Sequence, residues 1–319
     1  MRTLINATST STSPSSSPTP LPSSSLPTPS PGGLKARYRK SMIGKLLRRP
    51  GGAVGFSILL LVLLAATFAP LLAPHDPNAQ NLLTRLQPPV FDGGTWDNIL
   101  GTDHLGRDIL SRLIYGSRVS MFVSFVTTAI ACLLGTTIGI LAGFYEGMVR
   151  TMLMRMVDVF LAIPYILFAV AVVGALGAGI TTLILVLAMT RWVQFARIVY
   201  GQTLSIREKE YVEAARVRGN GQLRILLAHV LPNLATPIIV VMTLEIAFMI
   251  VMESALTYLG LGVAPSTPTW GWMLAEGKDY MMIAWWASVI PGLAIVVTVL
   301  GINLLGDALR DILDPRLKL

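Results

Sequence analysis

Residues 234–256 read "LATPIIVVMTLEIAFMIVMESAL", an almost uninterrupted apolar block that decides the class of fold. A helix needs about 20 residues to cross the roughly 30 Å hydrocarbon core of a bilayer, and this block is long enough. Further blocks of similar length are 53–72, 119–142, 152–176, 181–199 and 283–305. The sequence therefore predicts an all-α polytopic membrane protein with about six transmembrane helices.

The composition agrees with a chain that is dissolved in lipid. Its mean hydropathy is +0.65 and only 13% of its residues are charged, against roughly 25% in soluble domains. The net charge of +8 does not indicate nucleic-acid binding, because Lys and Arg lie beside the apolar blocks and form no single basic face with interleaved aromatics. The single cysteine, Cys132, excludes an internal disulfide or a Cys-based zinc cluster.

Lys and Arg collect in alternate connections between the apolar blocks. They precede the first block, flank the second-to-third connection and fill the fourth-to-fifth connection, 200–233. Segments 74–118 and 257–282 are acid-balanced or poor in cations. The positive-inside rule then predicts a multi-pass protein of the inner (cytoplasmic) membrane with both termini cytoplasmic.

The first 33 residues are nearly all Ser, Thr and Pro, which cannot bury enough apolar area to offset the entropy of ordering. We expect a disordered tail, or a start at Met42 in place of Met1. A signal peptide is not indicated, because no small-residue cleavage site follows the first apolar block.

The most charged connection contains "EYVEAARVRGNGQLRILLAHVLPN", residues 210–233. Ser205 and Glu208 have the spacing of a capping box, which predicts a short helix beginning there and stopping at Gly219. A second short apolar helix is expected over 223–231, stopped near Pro232. From these residues alone the stretch is either a dock for a partner or a solvated loop held at the membrane surface by its basic side chains.

The same stretch carries a family resemblance. "EAARVRGNGQLRILLAHVLP" resembles the EAA motif of binding-protein-dependent ABC importer permeases, with His229 where the pattern has Ile. The segments "LGTDHLGRDILSRLIYGSRVS" (100–120), "LAIPYILFAVAVVGALG" (161–177), "ALTYLGLGVAPSTPTWGWML" (255–274) and "INLLGDALRDILDPRLK" (302–318) are similar to the dipeptide, oligopeptide and nickel permease family, on its second-subunit branch.

The resemblance implies a type I ABC importer permease fold and a subunit of an ATP-driven importer for di- or oligopeptides. Nickel or glutathione transport is the alternative within that class. The implied partners are a homologous second permease, two cytoplasmic ABC ATPase subunits and an extracytoplasmic solute-binding protein, together with membrane lipid. Residues 208–222 would be the coupling helix, with ATPase-docking residues Glu213, Ala214, Ala215, Gly219, Leu231 and Pro232.

The chain itself carries no sign of an energy source or a catalytic centre. It has no G-x-x-x-x-G-K-[ST] phosphate cradle, so ATP hydrolysis would belong to partner subunits, and we expect no cofactor or metal. A membrane enzyme is disfavoured, because all three His residues lie outside the apolar blocks. An ion-coupled secondary transporter is a further alternative, although no internal repeat is visible.

Charged residues inside apolar blocks mark a candidate translocation cavity, because they are costly unless they face protein or water. The candidates are Glu245, Glu253 and Asp158, which would meet the charged ends of a peptide. The competing interpretation is ion pairing between spans or with the partner permease.

Four further patterns carry structural expectations. Gly135, Gly139 and Gly143 predict close helix packing, and Pro164 and Pro291 predict kinks. Residues 106–108, with Ser111 and Arg112, resemble the family's pre-span motif, whose adjacent opposite charges imply a short helix on the outer face. Four indoles are expected to anchor at the membrane interface or to contact a binding protein: Trp270, Trp272, Trp285 and Trp286.

The sequence accordingly divides into four parts. Residues 1–33 form the tail, and 34–117 contain the N-terminal cytoplasmic segment, the first span and the outer loop. Residues 118–310 form the core permease domain, and 311–319 a cytoplasmic C-terminal tail.

Overall fold

A computed structural model describes residues 44–313, so the Ser/Thr/Pro-rich tail, the alternative start at Met42 and residues 314–319 lie outside the described part. Between residues 44 and 313 the secondary structure is helical, apart from one isolated bridge between Thr102 and Asp108. The prediction of an all-α protein is confirmed.

The helices differ in the length of their connections. In chain order they are α1 (Pro50–Thr67), α2 (Ala69–Leu72), α3 (Ile109–Phe144), α4 (Met148–Ala162), α5 (Tyr165–Leu176), α6 (Ile180–Arg207), α7 (Glu210–Val217), α8 (Gln222–Ile225), α9 (Leu231–Tyr258), α10 (Trp270–Gly277) and α11 (Trp286–Leu313). The helices between α3 and α9 follow one another with short connections, whereas a long loop, 73–108, separates α2 from α3. Single 3-10 turns occupy Leu82–Thr84, Val90–Asp92 and Lys278–Tyr280, and a π-helical turn, Leu226–Val230, joins α8 to α9.

Five helical runs are long and apolar enough to cross a bilayer: α1, α3, α6, the run Gln222–Tyr258 and α11. A sixth span arises if α4 and α5 are counted together, although they are bent by 86°. The break falls at Ile163 and Pro164, because proline lacks an N–H and pushes the residue before it out of helical geometry. The prediction of about six spans is confirmed, and so is the predicted kink at Pro164 in the third span.

Helices α3 and α6 make the closest approach in the bundle through a line of glycines. A Cβ on Gly139 would lie 2.6 Å from the Ala196 carbonyl oxygen, and one on Gly135 would lie 2.2 Å from that of Trp192. Gly143 meets Thr203 in the same way. The predicted packing role of these glycines is confirmed, because any side chain would force the two backbones apart.

Glycines also bring the first and last spans together. A Cβ on Gly55 in α1 would lie 2.5 Å from the Gly301 carbonyl oxygen in α11. Helix α11 continues through Pro291, which is buried.

The bundle has two ends, which are named after the short helices beside them. At the α7 end, α3 and α6 finish and α9 begins. At the α10 end, α3 begins and α9 finishes.

Candidate functional site

Helix α7 lies against the bundle by one face only. Val212 and Ala215 are fully buried in an apolar cluster with Ile206, Ile225 and Leu234, which come from α6, α8 and α9. On the opposite face Glu213 and Ala214 are exposed. The helix is thus fixed to the spans while its charged face stays open.

The start of α7 differs from the prediction. Ser205 lies inside α6, Glu208 is the residue that ends α6, and the residue that precedes α7 is Lys209, whose side chain makes no capping hydrogen bond. The predicted capping box is therefore wrong. Burial of Ile206 in the same apolar cluster keeps α6 helical past Ser205, and the dipole of α7 is met by Glu210 and Glu213 in its first turn.

The end of α7 follows the prediction. Gly219 has φ +78°, a left-handed conformation that glycine adopts without strain, and its N–H donates to the Arg216 carbonyl oxygen at 2.9 Å. Asn220 N–H donates back to the Ala215 carbonyl oxygen at 3.2 Å. Apart from its immediate chain neighbours, no described residue has an atom within 4 Å of the position a Cβ would take on Gly219, so residues 44–313 leave the space outside it open.

The segment after Gly219 does not stop where predicted. Helix α8 runs through the π-helical turn Leu226–Val230 directly into α9, and Pro232 lies in the first turn of α9. Proline is tolerated there because the widened π turn has already broken the regular i to i−4 hydrogen-bond ladder. The expected stop at Pro232 is therefore wrong, and α7 is joined to a full span by an almost continuous helical run.

A single arginine ties the end of α6 to the end of α3. Arg207 donates to the Glu146 carboxylate, and its Nη1 also donates to the Gly143 carbonyl oxygen at 3.3 Å. This hydrogen bond, together with the charges of Arg207 and Arg150, lowers the pKa of Glu146 below its ordinary value. The Glu146 side chain is 67% exposed, so salt screens its interaction with Arg207.

One predicted cavity residue is held by an arginine that the sequence analysis did not select. Arg191 in α6 donates to both carboxylate oxygens of Glu245 in α9, Nε to Oε2 at 3.0 Å and Nη2 to Oε1 at 2.7 Å. Its Cζ lies 4.1 Å from the centre of the Phe248 ring. Glu245 is therefore neutralised between two spans, which matches the ion-pair interpretation.

The three predicted cavity residues do not form one cluster. Glu253 is fully buried, and it accepts hydrogen bonds from the hydroxyls of Thr257 at 3.1 Å and Ser254 at 3.3 Å, both in α9. Asp158 is exposed on α4. The assignment of these residues to a translocation cavity stays a prediction.

The α10 end contains a buried network of four charges. Asp103 accepts from Arg107 Nε at 2.6 Å and from Arg112, while Glu276 in α10 accepts from Arg107 Nη2 and Arg112 Nη1, both at 2.7 Å. Burial alone would raise the pKa of Asp103, but Arg112, Arg107 and two backbone N–H groups outweigh it and hold that pKa below its ordinary value. The network joins the loop before α3 to α10.

The loop itself is not the short helix expected over 106–108. Asp103 accepts from the backbone N–H groups of Leu105 and Arg107, and Gly106 has φ +71°, so the chain forms a tight turn. Asp108 instead precedes α3 and accepts from Ser111 N–H at 2.8 Å, which caps the helix. The expected helix is wrong because the carboxylates compete for the backbone donors.

The same end offers one grouping with metal-ligating atoms. Atoms of Asp103, His104 and Glu276 lie within 4.8 Å of one another. Two of these side chains already pair with the buried guanidiniums of Arg107 and Arg112, whose positive charges oppose a cation. The donor set does not fit a metal site.

Two of the four tryptophans expected at the membrane interface are buried inside the protein. Trp270 and Trp286 are 2% and 5% exposed, and their indole N–H groups donate to the carbonyl oxygens of Leu113 at 3.0 Å and Thr102 at 3.2 Å. Trp272 likewise donates to the Val263 carbonyl oxygen. Only Trp285, which is 39% exposed, keeps the open position that was expected of an interfacial anchor.

Comparison with known proteins decides the family. The model of the family described as binding-protein-dependent transport system inner membrane component matches residues 135–319, which include α7 and the spans beside it. The chain belongs to this family. A second model, described as the N-terminal TM domain of oligopeptide transport permease C, matches residues 38–89 of the permease.

The permease is similar to named transport proteins over most of its length. It is 42% identical over 269 residues to the di/tripeptide transport system permease protein DppC of Pseudomonas aeruginosa, covering 84% of this chain and 89% of the relative. It is 40% identical over 266 residues to the glutathione transport system permease protein GsiD of Pectobacterium atrosepticum, covering 83% and 87%.

A solved structure supports the fold. The permease superposes on a chain of the inward-facing MetNI methionine ABC transporter with a TM-score of 0.55 and 18% sequence identity, covering 65% of this permease and 98% of that chain. At this identity the likeness concerns the fold alone. It agrees with the predicted ABC importer permease fold.

Proposed function

We propose that this permease is one of two homologous membrane subunits of an ATP-driven importer that carries di- or oligopeptides across the cytoplasmic membrane. The support is that relatives at about 40% identity are named as di/tripeptide and dipeptide permeases. Another relative is named as a glutathione permease, so glutathione, beside nickel, is the alternative solute.

The observation that carries the proposal is the one-sided burial of α7. The exposed face of α7, with Glu213, Ala214 and the left-handed turn at Gly219, is not needed for packing against the bundle. Such a face fits a groove on a second protein, because Ala214 and Gly219 let another surface approach the backbone closely. The partner would be a cytoplasmic ATPase subunit.

The orientation follows from the charges. The α7 end carries Arg207, Lys209, Arg216, Arg218 and Arg224. By the positive-inside rule this end faces the cytoplasm, so both chain termini are cytoplasmic and the α10 end faces outward, toward a solute-binding protein. ATP is hydrolysed by the partners rather than by this chain.

The docking residues divide into three groups in this proposal. Glu213, Ala214 and Gly219 contact the ATPase. Ala215 acts differently from what the sequence indicated, because its side chain is buried and fixes α7 to the spans. Leu231 and Pro232, both exposed, stand where the π turn passes into α9.

The coupling mechanism uses that connection. When ATP draws the two ATPase subunits together, α7 moves with its ATPase as a rigid body, and the run from α8 to α9 carries the displacement into a span. The two states must differ in contact energy at the dock for the equilibrium to shift. Glu245, Glu253 and Asp158 remain the candidate residues of the pathway.

Two variants and a matched control test the dock. Gly219→Trp and Glu213→Lys should abolish uptake of a labelled dipeptide, reduce co-purification of the ATPase at least tenfold, and leave membrane insertion unchanged. Gly219→Asn, which tolerates the left-handed conformation, should retain most uptake because it keeps the turn without the bulk.

Uptake measured in a deletion host distinguishes the alternatives. Labelled dipeptide, glutathione and nickel identify the solute. Normal uptake by both Gly219→Trp and Glu213→Lys would refute the dock, and uptake that survives ATP depletion while the proton gradient is kept would identify a secondary transporter.

A further inference from the structure

A groove of about 490 Å³ runs beside α7 at the α7 end of the bundle. One wall comes from the end of α3 and the residues after it, with Phe144 and Glu146. The other comes from α7 and α8, with Arg216 and Ile225, and Arg207 also lines the groove. Charged and apolar side chains both occur in this lining, which suits an incoming side chain with a charged tip and an aliphatic stem.

The charges around the groove do not balance. Arg207 is committed to Glu146, and Arg150 lies 3.8 Å from the same carboxylate. Arg216 lines the groove as well, and within residues 44–313 no carboxylate oxygen lies within 4.0 Å of its guanidinium. The lining of the groove therefore has two guanidiniums, of Arg207 and Arg216, for the one carboxylate of Glu146, and the surplus positive charge is on Arg216.

The groove is continuous with the open face of α7. Arg216 belongs to α7 itself, and Asn220 and Gln222, which also line the groove, belong to the turn that ends at α8. A protein that covers Glu213, Ala214 and Gly219 would cover the groove in the same contact. An anionic lipid headgroup has the right charge but would have to share this space with the docked partner.

We propose that the groove receives an acidic side chain of the ATPase subunit, whose carboxylate pairs with Arg216. This inference rests on the proposed function, since it requires that an ATPase docks on α7. This ion pair sets the orientation of the ATPase around the axis of α7. Glu146 and Arg207 stabilise the opposite wall of the groove. The Arg216 guanidinium, which has no carboxylate partner among residues 44–313, gains one on docking.

The direct test uses the full importer, purified in detergent. Retention of the ATPase on the permease is measured against rising NaCl for the natural chain, Arg216→Gln and Arg216→Glu. We expect the apparent affinity to fall about tenfold for Arg216→Glu, less for Arg216→Gln, with a weaker salt dependence in both. Arg224→Glu is the matched control, because Arg224 is exposed on α8 outside the groove. The permease with this substitution should bind the ATPase normally.

Charge exchange identifies the partner residue. Single Lys substitutions at acidic positions of the ATPase surface are screened for restored uptake with Arg216→Glu, and we expect one position to restore it. Rescue at one position supports the pair. Equal weak rescue at every position would overturn it, because a general electrostatic effect would then suffice.

The outcomes separate this inference from the dock. If Gly219→Trp releases the ATPase but Arg216→Glu does not, the groove assignment is wrong and the dock stands. If neither releases it, both are wrong. If Arg216→Glu lowers co-purified phosphatidylglycerol and cardiolipin, measured by mass spectrometry, without changing ATPase retention, the occupant is a lipid headgroup and the inference is overturned.

Discussion

The α10 end and the α7 end of the bundle both gather charges, but they neutralise them differently. At the α10 end Asp103, Arg107 and Arg112 are buried, and they pair with one another and with the partly buried Glu276, which is far away in sequence. At the α7 end Glu146 is open to solvent, Arg216 faces a groove, and the charged face of α7 is uncovered.

The difference indicates what each end is built for. A largely buried network, in which two carboxylates balance two guanidiniums, joins the loop before α3 to α10. Exposed charges around an anchored helix contribute little to stability, and their surplus becomes useful only when another protein supplies the opposite charge. In the proposed function, the α10 end is a fixed closure and the α7 end is the contact surface.

The largest expected effect is at the α10 end. Arg112→Met leaves Asp103 and Glu276 buried with one guanidinium fewer, and we expect it to destabilise the protein by about 3–5 kcal/mol. Thermal unfolding of the purified permease measures the change. Arg118→Met on the same helix is the control, because Arg118 is exposed. Equal melting temperatures for the two variants would show that the network does not stabilise this end.

A smaller effect is expected from pH. The pKa of Asp103 is lowered in the folded protein, so its contribution to stability is fully present above its ordinary value of 3.8 and is lost as pH falls through the lower folded pKa. Melting curves recorded from pH 6 to pH 3 should show this loss only below about pH 4. Asp103→Asn should remove that part of the pH dependence, and an unchanged profile in this variant would contradict the assignment.

The smallest effect is expected at the α7 end. Glu146→Gln removes an exposed carboxylate whose interaction with Arg207 is screened, so the melting temperature should move by no more than about 2 °C at 150 mM salt. Measurement at 1 M NaCl should abolish even that difference. A shift as large as that of Arg112→Met would erase the distinction between the two ends.

The sequence was sufficient wherever one local property decides the outcome. The block 234–256 has too few polar residues for anything but a buried or lipid-embedded helix, and α9 spans it. Gly219 ends α7 because the turn requires a left-handed residue. The glycines of α3 predict close packing because spacing alone places them on one face.

The sequence was insufficient where distant residues decide. Glu276 meets Arg112 across 164 positions, and no local pattern shows this pairing. The capping box at Ser205 and the stop at Pro232 failed because burial in the cluster around Val212 and Leu234 outweighs local helix signals. Arg191 was missed because a single charge in an apolar block does not reveal its partner until two spans are placed side by side.

A photo-crosslinking amino acid placed at Ala214, on the open face of α7, tests the contact surface most directly. The control is the same amino acid placed at Leu83, which lies before α3 at the other end of the bundle and is 97% exposed. In intact cells that express the whole importer, crosslinked partners are identified by mass spectrometry. We predict that position 214 captures a P-loop ATPase and that position 83 does not. Capture of the ATPase at 83, or of lipid alone at 214, would contradict the assignment of α7 as the dock.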